Sequence, residues 1–218
     1  MNEKTVLNFL KKQTKAVLLD LLSSAFHEMN SSQKRSVFGS IIKEIKPSKL
    51  DGKKVLRDVK QFHRESLTGA YYAPFDINSK NFSHIPEETE EWFEELNDHL
   101  LSSTQLTKQK DHSCAIDCFS MLYDLIEKMG DGDEIIFADE YGTWMIPGDE
   151  KVYISAYIAS LAATKLPEDY AKTIIPLLRK DSYESFFNNV YSTAIKSANK
   201  DQKKCLRAEI KKQKIRIK

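Results

Sequence analysis

Apolar residues recur at helical spacing along almost the whole chain. Leu18, Leu22, Ala25, Phe26 and Met29 line one face; Val37, Phe38, Ile41, Ile42 and Ile45 line a second; Val55, Leu56, Val59 and Phe62 line a third. Steps of three and four residues mark amphipathic helices, because about 3.6 residues complete a turn. Trp92, Phe93, Leu96 and Leu100 follow, backed by Glu87, Glu88, Glu90, Glu91, Glu94 and Glu95 on the solvent side. The clearest stripe is Ala115, Cys118, Phe119, Leu122, Leu125, Ile126 and Met129. The run from Val152 to Ala163 is so evenly apolar that it predicts the most buried helix. Together with Tyr170–Leu178 and Phe186–Ile195, the pattern predicts helices over 5–12, 15–29, 31–46, 49–67, 86–102, 108–129, 150–164, 167–180, 182–198 and 200–214.

Capping chemistry supports these boundaries. Asn30 with Gln33, Ser48 with Asp51, and Asp181 with Glu184 have the capping-box spacing, in which each side chain satisfies an orphan backbone donor. Pro86 and Pro167 read as first-turn prolines followed by acids that complement the helix dipole. Pro176 predicts a kink or a break. Two stretches, 69–85 and 130–149, leave the helical period. Both are aromatic and longer than ordinary connections, and Ile135-Ile136-Phe137 reads as a short strand.

Composition narrows the class. Seven Gly and six Pro are too few for a sandwich or barrel with many tight turns. A charged fraction of 30% suits helices with long charged outer faces. The expected fold is therefore all-α: stacked antiparallel hairpins, solenoid-like, in a single domain over 1–218. Two long aromatic loops and a basic C-terminal helix or tail from about 199 complete it. Three Cys do not make a disulfide framework, so a reducing compartment, the cytoplasm, is expected. Lys4, Lys11, Lys12 and Lys15 interrupt the first apolar residues, unlike a signal peptide. No run approaches the roughly 18 apolar residues of a membrane span.

Ala115-Ile116-Asp117-Cys118-Phe119 looks like the Ala-x3-Phe portion of a tetratricopeptide unit. The upstream Trp and Leu-Gly positions of that unit fall on His99, Ser102 and Ser103, and its closing Pro on Glu127. The chain thus resembles helical-repeat scaffolds of the tetratricopeptide and HEAT kind in architecture. The resemblance implies stacked hairpins and carries no binding residues across.

Charge is sorted along the chain. Residues 1–68 carry a net +7, 69–150 a net −15, 151–195 a net +1 and 196–218 a net +8, although the whole chain is only +1. Such sorting predicts either an internal electrostatic contact or two surfaces for two kinds of partner. Lys203, Lys204, Arg207, Lys211 and Lys212 are the candidate phosphate-binding residues of a nucleic-acid interface. The same segment also reads as a solvated helical cap, or as a contact with the acidic region of this or another copy. The absence of aromatics from the tail weakens the nucleic-acid reading.

Tyr71, Tyr72, Phe75, Trp144 and Met145 are the candidate partner-binding residues, because aromatics and Met are favoured at interface cores. The alternative is that these side chains plug their loops onto the core. Cys114 and Cys118 share a helix face, but a structural zinc site needs four ligands. The acids near Asp131, Asp139 and Asp149 do not fit a calcium loop: from Asp131 the required Gly and Glu positions hold Ile136 and Gly142. Gly130-Asp131-Gly132 lacks a third glycine, and the five His are scattered. No metal, cofactor or catalytic residue is predicted. The expected function is a non-enzymatic interaction or scaffold protein of unknown partner. The alternatives are a nucleic-acid-associated protein, and an enzyme or metal-binding protein using the acidic aromatic loops.

Overall fold

A computed structural model of the chain describes residues 2–29, 33, 36–38, 49–137, 145–180 and 189–216. The architecture is all-helical, with no strand among the described residues. None of their helices is long and apolar enough to cross a membrane. Two compact units divide the chain, Met1–Ser48 and Lys49–Lys218.

The first unit holds α1 (Glu3–Leu10) and α2 (Lys15–Glu28). Asn2 and Thr14 cap them, each accepting a backbone N–H of the first turn. Much of the apolar surface is open: Phe9, Val17, Leu19, Leu21 and Leu22 are all exposed. Phe26 meets Phe38 edge to face at 5.4 Å. Of the helix expected over 31–46, residues 33 and 36–38 are described and are helical. Asn30 and Ser48 lie outside the described residues, as do Asp181 and Glu184.

The second unit runs α3 (Gly52–Leu67), α4 (Glu87–Lys108), α5 (His112–Gly130), α6 (Glu150–Thr164), α7 (Pro167–Lys180), α8 (Val190–Ser197) and α9 (Lys200–Lys212). Each helix packs on near neighbours in the chain. α3 lies on α4 and α5, α4 on α5 and α6, α6 on α5, α7 and α8, and α7 on α8 and α9. Phe62, Trp92, Phe119, Leu122, Tyr153 and Tyr170 are fully buried in the shared core.

Several boundaries differ from the sequence expectation, each for a local reason. α3 starts at Gly52, because Asp51 is itself the cap and accepts from the Lys53 and Lys54 N–H groups. Gly52 has little choice: a Cβ there would lie 2.0 Å from Asp111 Oδ2. α4 continues past the expected end at 102 through a Ser/Thr-rich stretch. There Ser103 and Thr104 donate to the carbonyls of His99 and Leu100, at 2.7 and 2.9 Å, and so do not compete for the helix. It stops where Lys110 turns left-handed and the Asp111 N–H closes back on Leu106. Pro86 occupies the cap position, one residue earlier than expected. α7 passes through Pro176 without ending, and Pro176 is exposed. Ile135–Phe137 is not a strand; Ile135 and Ile136 are buried, and the Ile135 N–H donates to the Asp133 carbonyl at 2.7 Å.

Candidate functional site

α3 carries two chemistries on two faces. Lys53, Arg57, Lys60 and Arg64 recur along one side, while Asp58, Gln61, Phe62 and Glu65 share another. α4 contributes Glu91, Glu95 and Asp98 at helical spacing, with His99 beside them. A short polar relay locks the two helices together. Trp92 Nε1 donates to Ser66 Oγ at 2.8 Å, and Ser66 Oγ donates to the Phe62 carbonyl at 2.8 Å.

Between the helices lies a cavity of about 380 Å³, lined by Asp58, Gln61, Phe62, Glu65, Asp98 and His99 together with Glu95. Phe62 forms its aromatic floor, with His99 at 5.0 Å, Tyr71 at 5.7 Å and Trp92 at 5.9 Å between ring centroids. Tyr71 O–H donates to Glu95 Oε2 at 3.0 Å. Gln61 Nε2 donates to Glu65 Oε1 at 2.9 Å. At the rim, Arg57 comes within 3.6 Å of Asp58.

The electrostatics follow from this crowding. Burial raises the Glu95 carboxyl above its ordinary range; the Tyr71 hydrogen bond opposes the rise, and the charges of Glu91, Glu65 and Asp98 add to it. Burial lowers the His99 imidazole, against a smaller pull from Asp58, so His99 is neutral near pH 7. Tyr71 is pushed up by burial and by Glu95.

A second cavity, of about 680 Å³, lies between the chain around Gly69 and Tyr72 and the turn of Gly132, Asp133 and Glu134. Here the two aromatic stretches meet. Phe137 packs on Phe75 at 5.1 Å and on Tyr72 at 6.1 Å, and Thr89 Oγ1 donates to the Phe137 carbonyl at 3.1 Å. Tyr71 is buried, Tyr72 and Phe75 are half-buried, and Met145 is half-buried against the core. Trp144 lies outside the described residues.

Other chemistry-bearing side chains have structural partners. Asp124 bridges His63 Nε2 at 2.8 Å and Lys128 Nζ at 2.5 Å. Burial would raise its carboxyl, but those hydrogen bonds outweigh it and hold Asp124 below the usual range. Ser160, fully buried, meets Thr107 Oγ1 at 2.9 Å and His112 Nδ1 at 3.1 Å, and so is not a nucleophile open to a substrate. Burial pushes the Cys118 thiol up to about 12, which keeps it protonated. No cluster of His, Cys, Asp and Glu that could hold a metal occurs among the described residues.

The basic segment is a packed helix. Gln202, Leu206 and Ile210 of α9 are buried, and Gln202 Nε2 donates to the carbonyls of Ala162 and Lys165, both at 2.9 Å. Lys204, Arg207, Lys211 and Lys212 are exposed, and Lys203 is half-buried. Asn199 and Gln202 form a capping box whose Asn-x-x-Gln spacing was visible in the sequence.

Sequence reasoning gave no functional role to Asp58, Glu65, Glu95, Asp98 or His99. The Glu91–Glu95–Asp98 spacing was a usable signal for a shared face, but nothing local paired that face with α3. No family model matches the chain, and no curated protein or solved structure matches it.

Proposed function

We propose that this chain is a helical interaction protein whose α3/α4 groove takes a cationic segment, rich in Lys or Arg, of a partner protein. The observation that carries the reading is the groove itself: Glu65, Glu95, Asp98 and Asp58 surround a cavity floored by Phe62 and His99. Glu95 is held partly buried with its carboxyl raised, chiefly by burial and further by the charges of Glu91, Glu65 and Asp98, which supports a preference for cationic groups there. Tyr71, one of the aromatic residues singled out in the sequence, serves here as a positioning residue that holds Glu95. Packing of α3 on α5, α4 on α6, α6 on α8 and α7 on α9 supports a solenoid-like scaffold for residues 49–218. Cys114, Cys118 and Cys205 are free thiols, which supports a reducing, cytoplasmic setting.

Fluorescence anisotropy with labelled Lys/Arg-rich and Asp/Glu-rich peptides tests the reading. The basic peptide is expected to bind at pH 7.5, and the Glu95→Gln variant to weaken it about tenfold, the scale of one charge-assisted contact. Affinity is expected to fall between pH 7.5 and pH 5. The raised carboxyl of Glu95 takes up its proton at a higher pH than an ordinary glutamate, so the groove loses that charge first as pH falls. Equal binding of the acidic peptide, or an unchanged affinity in both Glu95→Gln and Asp98→Asn, rejects the reading.

A further inference from the structure

Folding redraws the basic segment that the sequence marks. Of Lys203, Lys204, Arg207, Lys211 and Lys212, Lys203 is half-buried, and Lys212 Nζ lies 3.6 Å from Glu209 on its own helix. Lys204, Arg207 and Lys211 are exposed, and Lys200 joins them. At roughly 100° per residue, these four fall within an arc of about 60° on the surface of α9. Asp201 and Glu209, the acids of the helix, fall outside that arc. Its packed edge, Gln202, Leu206 and Ile210, turns away from the arc, toward α7 and the end of α6.

α9 presents the stripe as a fixed element. The Asn199–Gln202 capping box closes its start, and Gln202 Nε2 ties it to the Ala162 and Lys165 carbonyls. The charges are thus arranged before binding rather than gathered from a loose tail, which lowers the ordering cost. From Lys200 to Lys211 the stripe rises about 16 Å, at roughly 1.5 Å per residue. A duplex carries one phosphate charge per about 1.7 Å of its axis, so the same length offers about nine.

The composition of α9 selects among polyanions. Proteins that hold single strands stack the bases on aromatic rings, and α9 has none. A contact with duplex phosphates needs no such rings. A helix lying in a lipid surface needs an exposed apolar face, and Leu206 and Ile210 are buried in the core. We infer that the Lys200–Lys204–Arg207–Lys211 face of α9 binds the phosphate backbone of a double-stranded nucleic acid, without reading its sequence. This surface and the α3/α4 groove take partners of opposite charge, and neither depends on the other. Each phosphate neutralised adds about −0.9 to the slope of log affinity against log salt, so four contacts give about −3.6. Affinity then falls about a hundredfold between about 50 and about 200 mM salt.

Fluorescence anisotropy of the full chain with a labelled DNA duplex of about 20 base pairs, over that salt range, tests the inference. A slope of about −3.6 is expected, the same for a second duplex of unrelated sequence. The Lys204→Gln/Arg207→Gln/Lys211→Gln variant is expected to flatten the slope to about −1 and to weaken binding about tenfold or more. Lys203→Gln/Lys212→Gln leaves the stripe intact and should change affinity by less than about threefold. Gln keeps a high helix propensity, and circular dichroism checks that each variant folds. Arg207→Gln alone, expected to flatten the slope by about 1, carries the test should the triple variant not fold. Three outcomes overturn the inference: no duplex binding by the wild-type chain at low salt, a loss in Lys203→Gln/Lys212→Gln as large as in the stripe variant, or duplex binding that survives the stripe variant. Tighter binding of a single strand of the same length overturns it in favour of base contacts. Binding to phosphatidylserine vesicles that needs the stripe, with none to the duplex, overturns it in favour of a membrane surface.

Discussion

α2 and α6 are both apolar over most of their length, yet they meet opposite environments. In α6, Tyr153, Ile154, Ala156, Tyr157, Ile158, Ser160 and Leu161 are buried, because α4, α5, α7 and α8 pack around it. Its polar atoms are served from those neighbours: Tyr153 O–H donates to Asn97 at 2.7 Å, and Tyr157 and Ser120 share a hydrogen bond of 3.0 Å. In α2, Leu19, Leu21 and Leu22 are 45–55% exposed. The difference teaches that an apolar run specifies a demand for burial and not its fulfilment. That demand is met where several helices converge on one axis.

The comparison can be broken from either side. The largest expected effect is that of Ile158→Ala, which opens a cavity at a fully buried position of α6; denaturant unfolding should show a loss of about 4 kcal/mol. A loss below ~1 kcal/mol would mean that the surroundings collapse onto the gap and that α6 is no better packed than α2. Next comes Gly148→Ala, just before α6. Gly148 has φ +97°, and a Cβ there would meet the Tyr153 hydroxyl at 2.0 Å. Backbone strain and displacement of the Tyr153–Asn97 pair together should cost about 3 kcal/mol in the same measurement. A neutral effect would show that the turn into α6 does not depend on that approach. The smallest effect belongs to α2. Leu19→Ala and Leu22→Ala should each change stability by no more than about 0.5 kcal/mol, since both side chains already face solvent. A loss above ~2 kcal/mol in either would show that α2 is buried in solution and would erase the contrast.

Legibility follows the range of the interactions involved. The core stripes on α3, α4 and α5 were readable because each is a local repeat, and Val59, Phe62, Trp92, Leu96, Cys118, Phe119 and Leu122 are buried where the spacing put them. The extension of α4 through Ser103, Thr104 and Thr107 was not, because Ser and Thr stop helices or continue them according to where their hydroxyls donate. The burial of Ile135 and Ile136 was equally readable as a strand, since a short apolar run carries no period of its own. For the candidate groove, the acids of α4 were visible as a solvent face. Their approach to Asp58, Glu65 and Phe62 depends on the packing of α3 on α4, across sequence separations of about thirty residues.

By itself, the sequence determined the helical class, most of the helix positions and the sorting of charge into acidic and basic blocks. Each of these is written in spacing and composition within a turn or two of the chain. Tertiary structure decided which faces meet. It buried Tyr71 and aimed its hydroxyl at Glu95, gathered carboxylates from two helices over an aromatic floor, and packed Gln202, Leu206 and Ile210 inward so that the basic face of α9 is left outward. The physical reason is that helix formation is governed by neighbours along the chain, whereas the shifts of Glu95 and His99 depend on burial and on charges brought in by other elements.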